Sequence, residues 1–232
     1  MRRRSPDVHR VDDLLGVEGR RVAALDIEAT IAALEPLCTP ERSARLRWLV
    51  DRRVDSVAVL LDGPHDPHNG AAVIRSCDAF GVQKLHVLAR REPFLVARSV
   101  ARGSQKWIDV VEHKQVESAV AALAASGHEL VATAADGELE PADLASLPRF
   151  ALVVGNEREG IIPELRAACT RSVRVPMRGF ADSLNLSVAT AVLLAHAVAR
   201  RPGDLPEAER RRVYARGLFL TSPRAGDTLA RR

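Results

Sequence analysis

Residues 57–80 read VAVLLDGPHDPHNGAAVIRSCDAF, and two periodicities meet within them. Val57–Leu61 is an apolar, β-branched run of strand length, whereas Ala71–Phe80 places its apolar residues at helical spacing. Gly, Pro, Asp and Asn fill the interval, as a connection requires. The same unit recurs downstream. Strand-length runs stand at Leu85–Leu88, Trp107–Val111, Leu130–Thr133, Phe150–Val154 and Val173–Val175, and helical patterns at Val116–Ala125, Pro163–Cys169 and Leu186–Arg200. Strands alternating with helices predict an α/β fold with a mostly parallel sheet covered by helices on both faces. Upstream, Ile27–Leu34 reads as a short helix, and Thr39-Pro40 caps and opens another that runs to about Arg53. Downstream, a basic amphipathic helix is expected around Pro206–Arg216. The organisation read from these patterns is an N-terminal helical extension (1–55), a central domain (56–201) and a basic C-terminal helical extension (202–232).

Composition narrows the function classes. Hydrophobic residues make up 47% of the 232 residues and charged residues 28%, the profile of a globular protein. No run of about 18 apolar residues predicts a membrane span. The N-terminal MRRRSPDVHR, followed by Val11 and then Asp12-Asp13, lacks the apolar core of a secretory leader. Cys38, Cys77 and Cys169 are scattered and odd in number, which suits reduced thiols in a cytoplasm and argues against structural zinc. Residues 198–232 carry 9 Arg against 4 acidic residues, whereas residues 57–197 carry 14 basic and 16 acidic ones. The basic excess at the tail suits an anionic partner; a solvated arginine-rich end is the plainer alternative.

Three polar clusters follow apolar runs or precede helices. In the first, Asp66-Pro67-His68-Asn69-Gly70 precedes a helix bearing Arg75. Asn69 suits a helix cap, and the six-residue step to Arg75 lets both face one crevice only if the chain bends. His65 and His68 form an HxxH without a third ligand, so metal binding is not expected. The second cluster, Val153-Val154-Gly155-Asn156-Glu157-Arg158-Glu159-Gly160, lies at a strand's carboxyl end, where open parallel sheets bind ligands. There Gly155 gives a ligand access to the backbone; a charged surface turn would look similar. The third, GFADSLNLSVATA (Gly179–Ala191), sets Ser183, Asn185 and Ser187 at a helix start, more capping groups than one helix needs. Neither GxGxxG, GxxxxGK[ST] nor GxSxG occurs, which disfavours dinucleotide, P-loop and hydrolase sites.

Taken together, HNGAAVIRSCDAFG, VVGNEREGI and VPMRGFADSLNLSVATAVLL, with GSQKW (Gly103–Trp107) between them, resemble the ordered motifs of the SPOUT superfamily of RNA methyltransferases, TrmH family. The likeness runs from about Glu41 to Arg216. Short helical extensions without a further RNA-binding domain resemble the branch that methylates the ribose 2′-hydroxyl of guanosine 18 in tRNA. The resemblance implies a C-terminal deep trefoil knot, a homodimer with its site completed across the interface, and S-adenosylmethionine as cofactor. It places the cofactor against Thr133, Gly155, Val175 and Leu184, and the catalytic group on Asn69, Arg75, Glu157, Ser183 and Asn185. Arg75 then orients the hydroxyl and stabilises the developing alkoxide, because a guanidinium with pKa above about 12 is a poor base. An RNA phosphate or Glu157 takes the proton. Arg210, Arg211, Arg212 and Arg216 are the expected contacts to the RNA backbone. Ribosomal RNA is the alternative substrate, and an inactive RNA-binding scaffold the alternative class. A flavodoxin-like redox protein fits poorly with 3% aromatic residues.

Overall fold

The computed structural model describes residues 7–11, 13, 14, 24, 26–89 and 93–230. A short antiparallel pair, β1 (Val8–Arg10) with β4 (Leu95–Ala97), stands apart from the main sheet. The main sheet has six strands: β2 (Val54–Asp62), β3 (Val82–Leu88), β5 (Asp109–His113), β6 (Glu129–Thr133), β7 (Phe150–Val154) and β8 (Arg171–Val173). Their order is β5-β3-β2-β7-β6-β8, and every pairing is parallel. Helices α3 (Pro67–Ala79), α5 (Val116–Ala125), α6 (Pro163–Ala167) and α7 (Leu186–Val198) cover it, with the single turn α4 (Arg98–Ala101) after β4. All nine residues of β2 are buried, as expected of a central parallel strand. Its alternate side chains part to two cores: Val57, Val59 and Leu61 join Ile74 and Leu193 on one face. Ala58 and Leu60 join Leu123 and Leu165 on the other.

The helical extensions form a third layer. Helices α1 (Ile27–Leu34) and α2 (Pro40–Val50) share one core with α8 (Glu207–Thr221) and α9 (Ala225–Ala230), built on Leu34, Leu46, Val50, Tyr214, Leu218 and Phe219. These four helices, from segments distant in sequence, therefore make a single packed unit. Thr39 caps α2 by accepting from Arg42 N, as the sequence implied, but α2 stops at Val50. Arg53 lies beyond it as a buried connector rather than as helix. At Gly203 a Cβ would stand 1.8 Å from the Asp51 carbonyl oxygen, so only glycine admits this crossing of the returning chain.

Polar residues tie the amino ends of the strands together. Arg53 donates to Gln83 Oε1 at 2.8 Å, to Asp78 Oδ1 at 2.9 Å and to the Trp107 carbonyl at 2.8 Å. Trp107 is thus an anchor preceding β5 rather than a strand residue. Asp109 accepts from Arg212 and from Arg216, each at 2.5 Å. Burial opposes its charge, yet the two guanidiniums hold its carboxyl well below the usual carboxylate range. The expectation that Arg212 and Arg216 grip RNA is corrected here. Arg216 is 8% exposed, and both side chains are committed to the sheet end.

Candidate functional site

The carboxyl ends of β2 and β7 bring the three motifs together. Asp66 caps α3 by accepting from His68 N at 2.8 Å, with Pro67 at the first helical position. This displaces Asn69 from the capping role and puts it one turn inside the helix, with its amide free to reach outward. That amide donates to Glu157 Oε1 at 2.5 Å and accepts from Asn185 Nδ2 at 2.9 Å. Asn185 in turn caps α7, accepting from Ser187 N at 2.8 Å and Ser187 Oγ at 2.6 Å. Glu157 Oε2 receives the His65 backbone N–H at 3.4 Å. The carboxylate only accepts and the backbone N–H only donates, so both amides have one permitted orientation. The result is a directed chain of hydrogen bonds from α7 through α3 to Glu157.

Local geometry aims Glu157. Asn156 pairs its backbone with Gly160 through two bonds of 3.1 Å. Its Oδ1 accepts from Arg158 N at 2.9 Å and Glu159 N at 2.8 Å. A tight turn results, projecting Glu157 toward Asn69. A Cβ on Gly155 would stand 2.3 Å from the Gly160 carbonyl carbon. The glycine is required because the turn folds back on itself, and its backbone is only half-buried. Gly155 is not among the residues lining the adjacent cavity.

That cavity measures about 590 Å³, and Thr133, Val175, Ser183 and Leu184 all line it, together with Asp182 and Ala189. Its outer wall is the loop 174–185. Among the described residues, no backbone–backbone hydrogen bond involves residues 175–184. A loop with unspent donors and acceptors around a cavity suits a ligand with hydrogen-bonding edges. Val175, expected as strand, belongs to this loop. Around it Phe180 is fully exposed, and Met177, Leu184 and Val188 are also exposed. A smaller hollow of about 210 Å³ opens beside His65, Pro67, Phe94 and Glu159.

Arg75 stands apart. Six residues at about 1.5 Å and 100° each put it roughly 9 Å along α3 from Asn69 and 120° around the helix. It is exposed and has no ion-pair partner among the described residues. The other expected RNA contacts are paired at the surface: Arg210 with Glu207 and Arg211 with Glu28. Asp66 and the His65 backbone were missed from the sequence, although Asp-Pro before a helical pattern is a cap signal that identifies Asp66. Among the described residues no group of three or more His, Cys, Asp or Glu side chains is arranged to hold a metal, and no helix is long and apolar enough to cross a membrane.

A parallel α/β sheet with a ligand cavity and a polar relay at its strand ends defines a group-transfer or small-ligand-binding class of protein. The comparisons narrow this. The profile of the SpoU rRNA Methylase family matches residues 56–195, and the chain belongs to that family. It is 32% identical over 188 residues to the tRNA (guanosine(18)-2′-O)-methyltransferase of Escherichia coli strain K12, covering 77% of this chain and 82% of the relative. Among solved structures it is similar to the A. aeolicus TrmH/SpoU tRNA modifying enzyme, with a TM-score of 0.68, 27% identity, and 79% and 98% of the two chains covered. The SpoU methyltransferase AviRb from Streptomyces viridochromogenes, solved in complex with the cofactor AdoMet, matches with a TM-score of 0.56 and 31% identity over 64% of this chain and 59% of that one.

Proposed function

We propose that this chain transfers a methyl group from S-adenosylmethionine to the ribose 2′-hydroxyl of a guanosine in tRNA, guanosine 18 of the D-loop. The observation that carries the reading is the hydrogen-bond chain Ser187–Asn185–Asn69–Glu157 running beside the 590 Å³ cavity. The cavity fits the cofactor: Thr133, Val175 and Leu184 frame it, the loop backbone is unspent, and the Asp182 carboxylate suits a positive sulfonium. When bound, the cofactor supplies the electrophilic methyl group. The protein's own part is alignment and proton handling. Asn69 and the His65 N–H fix the Glu157 carboxylate, which accepts the ribose hydroxyl proton. Arg75, which stands apart from this cluster within one chain, acts on the hydroxyl held at the partner subunit's site, orienting it and stabilising the developing alkoxide. Ser183, on the cavity wall and without a side-chain partner among the described residues, holds the third-motif loop around the bound ligand. The base of the target nucleoside is received beside His65, Pro67 and Glu159.

Two finer features belong to the same proposal. The active form is a homodimer that covers Met177, Phe180, Leu184 and Val188, an apolar surface that one chain leaves in water. The segment from β6 to α7 is threaded as a deep trefoil knot. In support, β8 lies outside β6 at the sheet edge while α7 returns to pack on α3, and a Cβ at Gly137 would stand 2.5 Å from the Val173 carbonyl carbon. The enzyme works in the cytoplasm, where its RNA is. Of the four expected tail contacts, Arg210 and Arg211 lie at the surface, where a phosphate would exchange with Glu207 and Glu28.

Methyl transfer from labelled cofactor to total tRNA and, separately, to ribosomal RNA tests the assignment. Label in the tRNA D-loop, mapped to one guanosine ribose, is the expected result. Label confined to ribosomal RNA moves the substrate, and no label in either refutes the activity.

A further inference from the structure

The arginines of α8 raise the local charge but are matched by carboxylates: Arg210 by Glu207, Arg211 by Glu28, and Arg212 and Arg216 by Asp109. Helix α2 presents the opposite case. Leu46 and Val50 bury one side of it against the shared core. Arg45 and Trp48, three residues apart, share its outer face, and Arg52, in the turn just past the last helical residue Val50, lies over Trp48. Arg45 is exposed and has no ion-pair partner among the described residues. The Arg52 guanidinium lies 3.9 Å over the Trp48 ring and donates to the Trp48 carbonyl at 3.2 Å, with no carboxylate engaged. Trp48 is 53% exposed and neighbouring Leu49 44%. Two acids are near. Glu41 turns back to the Thr39 cap, and Asp51 is exposed beside Arg52.

A water-exposed indole framed by two cations without counter-ions matches a polyanion whose units also carry flat π faces. We propose that the outer face of α2, with Arg45 and Trp48, together with Arg52 of the turn that follows it, is an RNA-binding surface. It stacks one unpaired base on Trp48 and sets backbone phosphates against the two guanidiniums. The inference rests on the RNA-methylating reading above and extends it to where the substrate is gripped. Strand β2 starts at Val54 beside this surface and ends at Asp62 beside the catalytic cluster. Eight steps of about 3.3 Å separate the two by roughly 26 Å. The surface therefore holds a part of a folded RNA distant from the nucleotide that reacts.

The test uses the full chain and two fluorescently labelled probes, an unmodified tRNA transcript and its isolated D-arm stem-loop, titrated at several salt concentrations. For the transcript, Trp48→Ala is expected to weaken binding about 5- to 100-fold, the range of one base–aromatic stack, and Trp48→Phe to recover most of it. Arg45→Gln with Arg52→Gln should flatten the slope of log affinity against log salt by about 1.5 to 2. The stem-loop, which keeps the reacting nucleotide but lacks the rest of the folded RNA, should be affected less by these substitutions than the transcript. Unchanged transcript affinity and slope in variants with unchanged melting would overturn the proposal. So would a Trp48→Ala protein that sediments as a smaller species, because the surface would then join two copies of the chain. Methyl transfer by the unsubstituted chain is read alongside. A chain that binds RNA through α2 yet transfers nothing removes the proposed reaction and leaves this surface standing.

Discussion

Two polar clusters occupy opposite ends of one sheet, and they differ in what they leave undone. At the amino ends of the strands, Arg53, Asp78, Gln83, Asp109, Arg212 and Arg216 are bonded to one another, largely out of water, although Arg216 Nε is left without a partner. At the carboxyl ends, Asn69, Glu157 and Asn185 also form a connected network, but Glu157 and Asn185 are exposed and the neighbouring loop backbone is unspent. The first arrangement holds elements distant in sequence in place. The second is held in place by its neighbours and keeps its capacity for a ligand. Similar residue types thus separate into stability and chemistry according to whether the protein itself completes their bonding.

Substitutions sharpen that contrast. At the carboxyl end, Arg75→Ala should lower methyl transfer by about 10³-fold or more, in the range of losing a group that meets developing charge, with cofactor affinity nearly intact by calorimetry. Comparable turnover would remove Arg75 from the mechanism. At the amino end, Arg216→Ala leaves Asp109 with a diminished counter-charge and should cost about 3–5 kcal/mol in a denaturant melt. At permissive temperature its transfer rate per folded molecule should be near normal. A stable Arg216→Ala protein would show that Arg212 alone neutralises Asp109.

Smaller effects probe each end in turn. Burial, and then the charge of His113, hold the His86 imidazole down to about 4, and His86 Nδ1 lies 2.8 Å from His113 Nε2. The unfolded chain, with an imidazole near its ordinary 6.5, binds more protons between those values. Stability is therefore full above about pH 6.5 and declines as pH falls toward 4, by up to about 3 kcal/mol from this group. Urea midpoints at pH 5 and 7 should differ, and His86→Gln should narrow the difference. Asp66→Ala, which uncaps α3 beside the catalytic cluster, should cost about 1 kcal/mol and a modest loss of rate. An unchanged melting temperature would show that Pro67 and packing alone set that helix start.

Much of the sheet was legible because its apolar runs carry their own signal: Phe150–Val154 and Val116–Ala125 were read with the observed bounds. Strand β2 proved longer than its apolar run because Asp55 and Asp62 are buried at its ends. Asp55 is matched by Lys84 and Arg149, partners that no local pattern announces. Asn69 illustrates the same limit at the site. Read locally it was a cap; its role depends on Glu157 and Asn185, 88 and 116 residues away. The tail arginines were counted correctly, but charge counting is blind to Glu28, which meets Arg211 across 183 residues. What the sequence conveyed well was periodicity and motif order; what it withheld was pairing at a distance.

The shared core of α1, α2, α8 and α9 sets a schedule for synthesis. Leu34, Leu46 and Val50 leave the ribosome well before Tyr214, Leu218 and Phe219, which cover them and follow about 160 residues later. The sheet and its site can assemble while the first helices wait, with their apolar faces uncovered. Synthesis of α8 and α9 then closes this core in one step. A nascent chain stalled before α8 should accordingly offer chaperones a binding surface that the finished protein lacks.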